Sequence, residues 1–407
     1  MQTAIDHSFL QRAEIAEADA ILRACVHCGF CNATCPTYQL LGSELDGPRG
    51  RIYLIKEMLE GNQSSARTRL HLDRCLTCRS CETTCPSGVQ FGRLIDIGRQ
   101  EIEKRSPRLL WANIVRHVLL GVLPYTSRLR VAFALGRLAR PLLPAMLRHK
   151  LPRARKPLPR PQTQNQRLML VLEGCVQPLA APTTNAAAAR VLDKLGIGLV
   201  SAPQAGCCGA MHQHLAAADS ARDMMRRNID AWWPYVEQGI EAIVMTASGC
   251  GVMVKEYGHA LKDDTAYAAK AARISALTRD LSEILRNENL DLFAGIGKGR
   301  RVACQSSCTL QHGQKLGGEV EKILQYCGYT LTSVADSHLC CGAAGTYTLL
   351  QPVLSQQLLN QKITALLQAD PDVIVTSNIG CQLHLESVSK VPVRHWIELL
   401  VHPQSSI

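Results

Sequence analysis

The sequence predicts an α/β protein with an N-terminal all-α domain, followed by two duplicated α/β units. Three observations carry that prediction. Near the N-terminus, Cys25-Val26-His27-Cys28-Gly29-Phe30-Cys31-Asn32-Ala33-Thr34-Cys35-Pro36 is echoed by Cys75-Leu76-Thr77-Cys78-Arg79-Ser80-Cys81-Glu82-Thr83-Thr84-Cys85-Pro86, with apolar residues at helical spacing between the copies. Farther on, short apolar runs lead into cysteines, the pattern of buried parallel strands. Those cysteines recur at a steady interval. Cys175 to Cys308 and Cys207 to Cys340 are each 133 positions, and Cys250 to Cys381 is 131, which marks a duplicated unit.

A chain of 407 residues allows two or three domains. The boundaries read as residues 1–105 for the helical domain and 106–166 for a basic amphipathic segment with a Pro-rich linker. Residues 167–295 form the first repeat and 296–407 the second. Eighteen cysteines in a small secreted scaffold would mean disulfides. Here residues 1–25 carry Asp6, Glu14, Glu17 and Asp19 and have no continuous apolar core, so they do not read as a signal peptide. Clustered thiols call for a reducing compartment, and the cytoplasm is the expected one.

No apolar run reaches the roughly 18 residues of a membrane span; the nearest, Val118 to Leu123, is broken at Pro124. The net charge of +11 is localised. From Lys104 to Leu172 there are fifteen Lys or Arg and no acid, which leaves −4 for the remainder.

In chain order, residues 8–24 read as one helix with Leu10, Ile15, Ile21 and Leu22 as its apolar positions. Pro48 opens and Gly61 closes a helix that carries Ile52, Ile55, Met58 and Leu59. Another helix follows Pro86, over 91–104. Residues 106–150 alternate apolar side chains (Leu109, Leu110, Trp111, Ile114, Val115) with Arg116, Arg128, Arg130, Arg137 and Arg140. Such a face suits a membrane surface, an acidic partner, or plain packing against the rest of the chain. It contains no nucleic-acid-binding motif, and nucleic acid is not an expected partner. Pro152, Pro157, Pro159 and Pro161 mark the linker.

In the repeats, strands are expected at 168–172, 197–200, 242–246, 301–304, 329–334 and 373–376, with helices at 186–195 and 320–326. The cysteines then lie beyond the carboxyl ends of strands, where open α/β sheets hold ligands. Two such repeats facing one another would gather them into a central cleft. Cys304 and Cys327 have no counterpart in the other repeat and read as core thiols.

Both N-terminal motifs read C-x2-C-x2-C-x3-C-P, the spacing of bacterial [4Fe–4S] proteins, in which the fourth cysteine ligates the other cluster. The expected ligand sets are therefore Cys25, Cys28, Cys31 and Cys85 for one cluster, and Cys75, Cys78, Cys81 and Cys35 for the other. A structural zinc site also uses C-x2-C pairs, but needs no such four-cysteine run twice over. Motifs separated by helices resemble the helical ferredoxin domains of succinate dehydrogenase and fumarate reductase iron–sulfur subunits.

The Cys-Cys-Gly units at Cys207-Cys208-Gly209 and Cys340-Cys341-Gly342 resemble the cysteine-rich (CCG) domain of heterodisulfide reductases. Cys175, Cys207, Cys208 and Cys250 match that pattern in one repeat, and Cys308, Cys340, Cys341 and Cys381 in the other. The family's final Cys-x-x-Cys is incomplete in both. These eight could hold a further cluster, another metal or a redox thiol pair. A helical two-cluster ferredoxin domain followed by two duplicated CCG units resembles the iron–sulfur subunits of glycolate oxidase. The blocks Leu22-Arg23-Ala24-Cys25-Val26-His27-Cys28-Gly29-Phe30-Cys31, Glu44-Leu45-Asp46-Gly47-Pro48-Arg49-Gly50-Arg51-Ile52-Tyr53, Asp230-Ala231-Trp232-Trp233-Pro234, Glu256-Tyr257-Gly258 and Asp336-Ser337-His338-Leu339-Cys340-Cys341-Gly342 carry that resemblance.

The resemblance implies a non-catalytic electron-transfer subunit of a glycolate dehydrogenase. FAD-containing partner subunits would oxidise glycolate, or D-lactate, to the 2-oxo acid. A quinone or other acceptor would take the electrons at the inner face of the cytoplasmic membrane, with peripheral membrane contact. No flavin is expected on this chain, because its one glycine cluster, Gly295-Ile296-Gly297-Lys298-Gly299, precedes a strand and reads as a turn. The iron–sulfur subunit of anaerobic glycerol-3-phosphate dehydrogenase has the same domain order and is the alternative. A self-contained thiol–disulfide catalyst is the other.

Overall fold

The computed structural model describes residues 1–142, 152, 155–162 and 164–401. They form two compact units that cut across the contiguous boundaries read from the sequence. One comprises Met1–Val118 together with Met211–Ala218 and His338–Lys362; the other holds Leu119–Ala210, Asp219–Ser337 and the chain from Ile363 onward. Each extra segment of the first unit begins close to a Cys-Cys-Gly turn.

The first unit is built on helices Ala13–Ala24, Pro48–Leu59, Ala66–Asp73 and Phe91–Arg105. Ile15, Leu22, Ile55, Met58, Leu72, Leu94 and Ile95 close its core. Pro48 occupies the first helical turn, and Ser65 forms a capping box with Thr68. The single helix expected over residues 8–24 is in fact two. Arg12 is extended between His7–Leu10 and Ala13–Ala24, and its guanidinium pairs with Glu14 and with the buried Glu101, the latter at 2.6 Å.

The second unit contains two four-stranded parallel sheets of the same order. β1 (Arg167–Val171), β2 (Ile197–Ser201), β3 (Ile243–Met245) and β4 (Thr278–Asp280) run β2-β1-β3-β4. β5 (Arg301–Gln305), β6 (Thr330–Leu331), β7 (Val373–Thr376) and β8 (Val393–His395) run β6-β5-β7-β8. The central strands β3 and β7 are buried throughout, as apolar runs in parallel sheets should be. One apolar core joins the repeats, with Val244, Leu281 and Phe293 of the first and Val302, Leu324, Val375 and Trp396 of the second. Ser248 also donates its N–H to Ser377 O at 3.0 Å.

The last strand of each sheet, β4 and β8, escapes sequence reading, because three residues of mixed polarity (Thr278-Arg279-Asp280, Val393-Arg394-His395) carry no periodicity. The strand expected over 329–334 shrinks to Thr330–Leu331. The glycine cluster is a turn that enters β5, as expected. Cys327 is fully buried and Cys304 half-buried.

The basic segment forms helices Leu110–Val122 and Thr126–Leu138; residues 143–151, including Arg148 and Lys150, lie outside the described residues. No single described helix is long and apolar enough to cross a membrane, and these two together are bent by 111°. Many of their apolar side chains are not packed away: on the first helix Leu110 is 77% and Trp111 74% exposed, with Ile114 and Val118 also in solvent, and on the second Val131 and Leu135 are exposed. Arg128, Arg130, Arg137 and Arg140, along and just after the second helix, are exposed. Arg116 departs from the expected cationic face. It is buried, lies 3.7 Å from both Asp73 and Glu103, and donates to Leu215 O at 3.3 Å. Desolvation lowers its pKa to about 10.

Candidate metal centres

Each N-terminal motif opens with a loop that passes twice through the left-handed region, at His27 and Gly29 in the first copy and Thr77 and Arg79 in the second. Such turns point successive N–H groups inward and make a concavity for anions. The amide of Thr77 donates to Cys75 Sγ at 3.4 Å in this way. Short helices Phe30–Ala33 and Ser80–Thr84 then present Cys31 and Cys81. Pro36 starts the helix Pro36–Leu41 and carries Cys35 away from its own loop. The copies abut, with the Thr84 hydroxyl donating to that of Thr34 at 3.3 Å.

Two cavities result, and the fourth cysteines have changed places. One, of about 430 Å³, is lined by Cys25, Cys28, Cys31 and Cys85, with Cys81 also reaching it. The other, of about 360 Å³, is lined by Cys35, Cys75, Cys78 and Cys81. The electrostatics follow the same grouping. Cys31 is pushed up to about 11 by burial, then by the like charges of Cys25, Cys28 and, more weakly, Cys85. Burial also raises Cys81, followed by Cys78, Cys75 and Cys35. Four thiols around one cavity cannot all ionise without a cation to neutralise them.

Among the described residues no three His, Cys, Asp or Glu side chains are drawn together as a site for a single ion. Thiols spaced around a cavity, with amides turned inward, fit a polynuclear iron–sulfur centre.

The two sites differ in their surroundings. At the outer one Cys28 is exposed, beside the exposed Val26 and Phe30, and Arg49 faces Glu44 at 2.8 Å in partial solvent. The inner one is enclosed by polar side chains that the sequence reading did not single out. Arg51, 1% exposed, donates from Nη1 to Cys35 Sγ at 3.9 Å, from Nη2 to Thr37 Oγ1 at 3.0 Å and from Nε to His71 O at 2.7 Å. Asp46, also buried, lies 2.9 Å from His71 Nδ1, 3.0 Å from Arg74 Nη1 and 3.8 Å from Arg51. Arg99 donates to Cys75 O at 2.6 Å and Thr77 Oγ1 at 3.1 Å. Only the presence of Asp46 and Arg51 in the Glu44–Tyr53 block hinted at any of this.

In the first repeat Cys175, Cys207, Cys208 and Cys250 converge at the carboxyl ends of β1, β2 and β3. Cys175 is raised chiefly by its hydrogen bond with Cys207, then by burial; Cys208 by hydrogen bonds with Cys207 and Cys250, then by burial. The buried Asn228 clamps the turn, accepting from Gly206 N at 2.8 Å and donating to Cys207 O at 2.9 Å and Tyr257 Oη at 3.1 Å. Tyr257 donates to Cys208 O at 2.9 Å. The motif ends in glycine for a steric reason. Gly342 has φ +84, and a Cβ there would lie 2.8 Å from Ser355 O; Gly209, its equivalent, has φ +91 and would meet Ala221 O at 3.1 Å.

The second repeat is divided. Cys308 and Cys381 belong to the unit of the sheets, where Asn378 Nδ2 donates to Cys381 Sγ at 3.6 Å. Cys340 and Cys341 lie on the segment His338–Lys362 of the helical unit. There Cys340 is, after burial, the largest influence raising Cys78, and Tyr347 donates to Arg74 O at 3.0 Å. A cysteine of the repeat thus adjoins a thiol of the inner N-terminal site.

The sequence matches the 4Fe–4S dicluster domain family over residues 21–89 and the cysteine-rich CCG domain family over residues 169–255 and 302–386. It is 55% identical to the glycolate oxidase iron–sulfur subunit of Escherichia coli, covering 98% of both chains. It is 29% identical to a probable glycolate oxidase iron–sulfur subunit of Bacillus subtilis, over 94% of this chain and 91% of that one. Lactate utilization protein A of Bacillus subtilis matches 56% of this chain and 95% of its own length at 23% identity.

Proposed function

The chain belongs to the family of glycolate oxidase iron–sulfur subunits, and on that premise we propose how its residues divide the work of an oxidoreductase complex in which it is a non-catalytic subunit. A flavin-containing partner oxidises glycolate, or D-lactate, to the 2-oxo acid. This chain carries the electrons to a quinone-type acceptor. The observation that carries the reading is the pair of adjoining four-cysteine cavities with exchanged fourth cysteines. When bound, [4Fe–4S] centres there supply one-electron carriers. Cys25, Cys28, Cys31 and Cys85 hold one, and Cys75, Cys78, Cys81 and Cys35 the other.

A 2-hydroxy acid releases two electrons together, so the first acceptor must be a two-electron group. The glycine cluster at 295–299 is a turn entering β5 and offers no phosphate-binding helix start. Exposed Cys28 and Phe30 make the outer site accessible to a partner protein, whereas Cys340 adjoins the inner one. Cys175, Cys207, Cys208 and Cys250 form a third centre, which takes a further cluster, another metal or a redox thiol pair. Cys308, Cys340, Cys341 and Cys381 provide the corresponding thiols of the second repeat. The close relation to a glycolate oxidase subunit favours glycolate over glycerol 3-phosphate.

The exposed apolar stripe around Trp111, and the run of exposed arginines that follows it in the sequence, support peripheral contact with anionic lipid at the cytoplasmic face of the membrane. The test is reconstitution. The purified chain should show no glycolate dehydrogenase activity until the flavin subunits are added, after which a quinone or dye should be reduced. Turnover by the iron-loaded chain without flavin would refute the subunit reading. Iron and sulfide analysis should give about eight irons if only the N-terminal sites are filled, and about twelve or sixteen if the repeats are filled too.

A further inference from the structure

The two N-terminal sites have the same ligand pattern but unequal electrostatic surroundings. At the outer site the nearby guanidinium, Arg49, is partly exposed and bound twice to Glu44, at 2.8 and 3.1 Å. Its field is therefore screened by water and by its carboxylate. At the inner site Arg51 is 1% exposed and its Nη1 lies 3.9 Å from Cys35 Sγ. The remaining donors of that side chain are held by Thr37 Oγ1 and His71 O, both neutral acceptors. Asp46 is its charged neighbour, but at 3.8 Å, and Asp46 is engaged more closely by Arg74 at 3.0 Å and His71 at 2.9 Å. A guanidinium remains charged at any working pH. Taking Arg51, Arg74 and Asp46 together, the group keeps a net positive charge beside a thiolate ligand.

Charge and hydrogen bonds at the sulfurs are among the chief determinants of an iron–sulfur potential. Reduction adds one negative charge, which a buried cation stabilises, and more strongly in a low-dielectric setting than in water. We propose that Arg51 sets the inner site apart by raising the reduction potential of the centre on Cys75, Cys78, Cys81 and Cys35, making it the electron-accepting member of the pair. Arg51 acts through Cys35 and is a positioning and tuning residue, not a catalytic one. Electrons entering beside exposed Cys28 are thereby drawn toward the site that Cys340 adjoins.

This inference rests on the ligand assignment of the preceding section, and the experiment separates the two. Redox titration of the iron-loaded chain, followed by electron paramagnetic resonance, reads the midpoint of each centre without any turnover. Arg51→Gln removes the charge and should lower the inner midpoint by at least 59 mV, a tenfold change in a one-electron equilibrium, while the outer midpoint stays put. Arg51→Lys keeps the charge and should restore most of that shift. Asp46→Asn removes the counter-charge and should move the inner midpoint upward; it decides the matter if Arg51→Gln fails to assemble. An unchanged inner midpoint in Asp46→Asn, with Arg51→Gln either unshifted or unassembled, would overturn the role of Arg51, as would an inner midpoint in Arg51→Lys that falls as far as in Arg51→Gln. Equal movement of both centres would overturn it as well. Failure of the ligand assignment would show differently, as a wild-type chain without two distinguishable centres.

Discussion

Replacing Cys35 by alanine should destroy the centre carried by the other motif and spare the one built on its own neighbours. Cys35 is buried among Thr37, Arg51 and the carbonyl of Asp46, with its sulfur 3.3 Å from Thr37 Oγ1 and 3.8 Å from Asp46 O. Losing one sulfur atom from packing costs about 1 kcal/mol, small beside a core that fully buries Ile15, Leu22, Ile55, Leu72 and Leu94. The fold should survive, so the measured loss is that of a ligand. Iron should fall from about eight to about four per chain where only the N-terminal sites are filled. In the reduced protein the surviving resonance should be the one lost in Cys28→Ala, and Cys35→Ala should match Cys78→Ala. The double variant Cys35→Ala/Cys78→Ala should lose no more iron than either single one, whereas Cys35→Ala/Cys28→Ala should lose nearly all. If Cys35→Ala reproduces Cys28→Ala instead, each motif closes on itself and the exchange inferred from the two cavities is wrong.

Other outcomes follow from the same geometry. Trp111→Ala, which removes an exposed apolar anchor, should weaken binding to anionic vesicles about tenfold or more, and neutralising Arg128, Arg130, Arg137 and Arg140 should make that binding insensitive to salt; unchanged sedimentation with vesicles would remove the membrane reading. Gly342→Ala should cost about 1–2 kcal/mol from its left-handed backbone alone, and more from the approach of Ser355 O, read as a lower thermal midpoint; an unchanged midpoint would refute the tight approach. Asn228→Ala strands the groups it clamps, at about 1–3 kcal/mol each, and should speed alkylation of Cys207 and Cys208; equal rates in the variant and wild type would show that Asn228 does not hold the turn.

Much of the candidate site was legible because the spacing of its cysteines is local. Three thiols within seven residues, each offset by three, have few geometries open to them, and the Cys-Pro step sends the fourth elsewhere. The duplication was equally plain, since Cys175, Cys207 and Cys250 keep their spacing against Cys308, Cys340 and Cys381. That regularity breaks at β4 and β8, which begin at Thr278 and Val393, only 115 positions apart. Buried β3 and β7 announced themselves as apolar runs, whereas short outer strands with one solvent-facing arginine did not.

What the sequence determined by itself was the donor chemistry, the parallel α/β repeats and the confinement of positive charge to one segment. Tertiary structure alone decided which charges act on which thiols. Arg51 reaches Cys35 across 16 positions, and Tyr347 reaches Arg74 across 273; neither distance leaves a trace in local pattern. It also divided the basic segment, burying Arg116 against Asp73 and Glu103 while leaving Trp111 in solvent. The physical reason is one of range. Ligand spacing and strand periodicity are short-range properties of the chain, but burial and electrostatic environment depend on every element that folds against a residue.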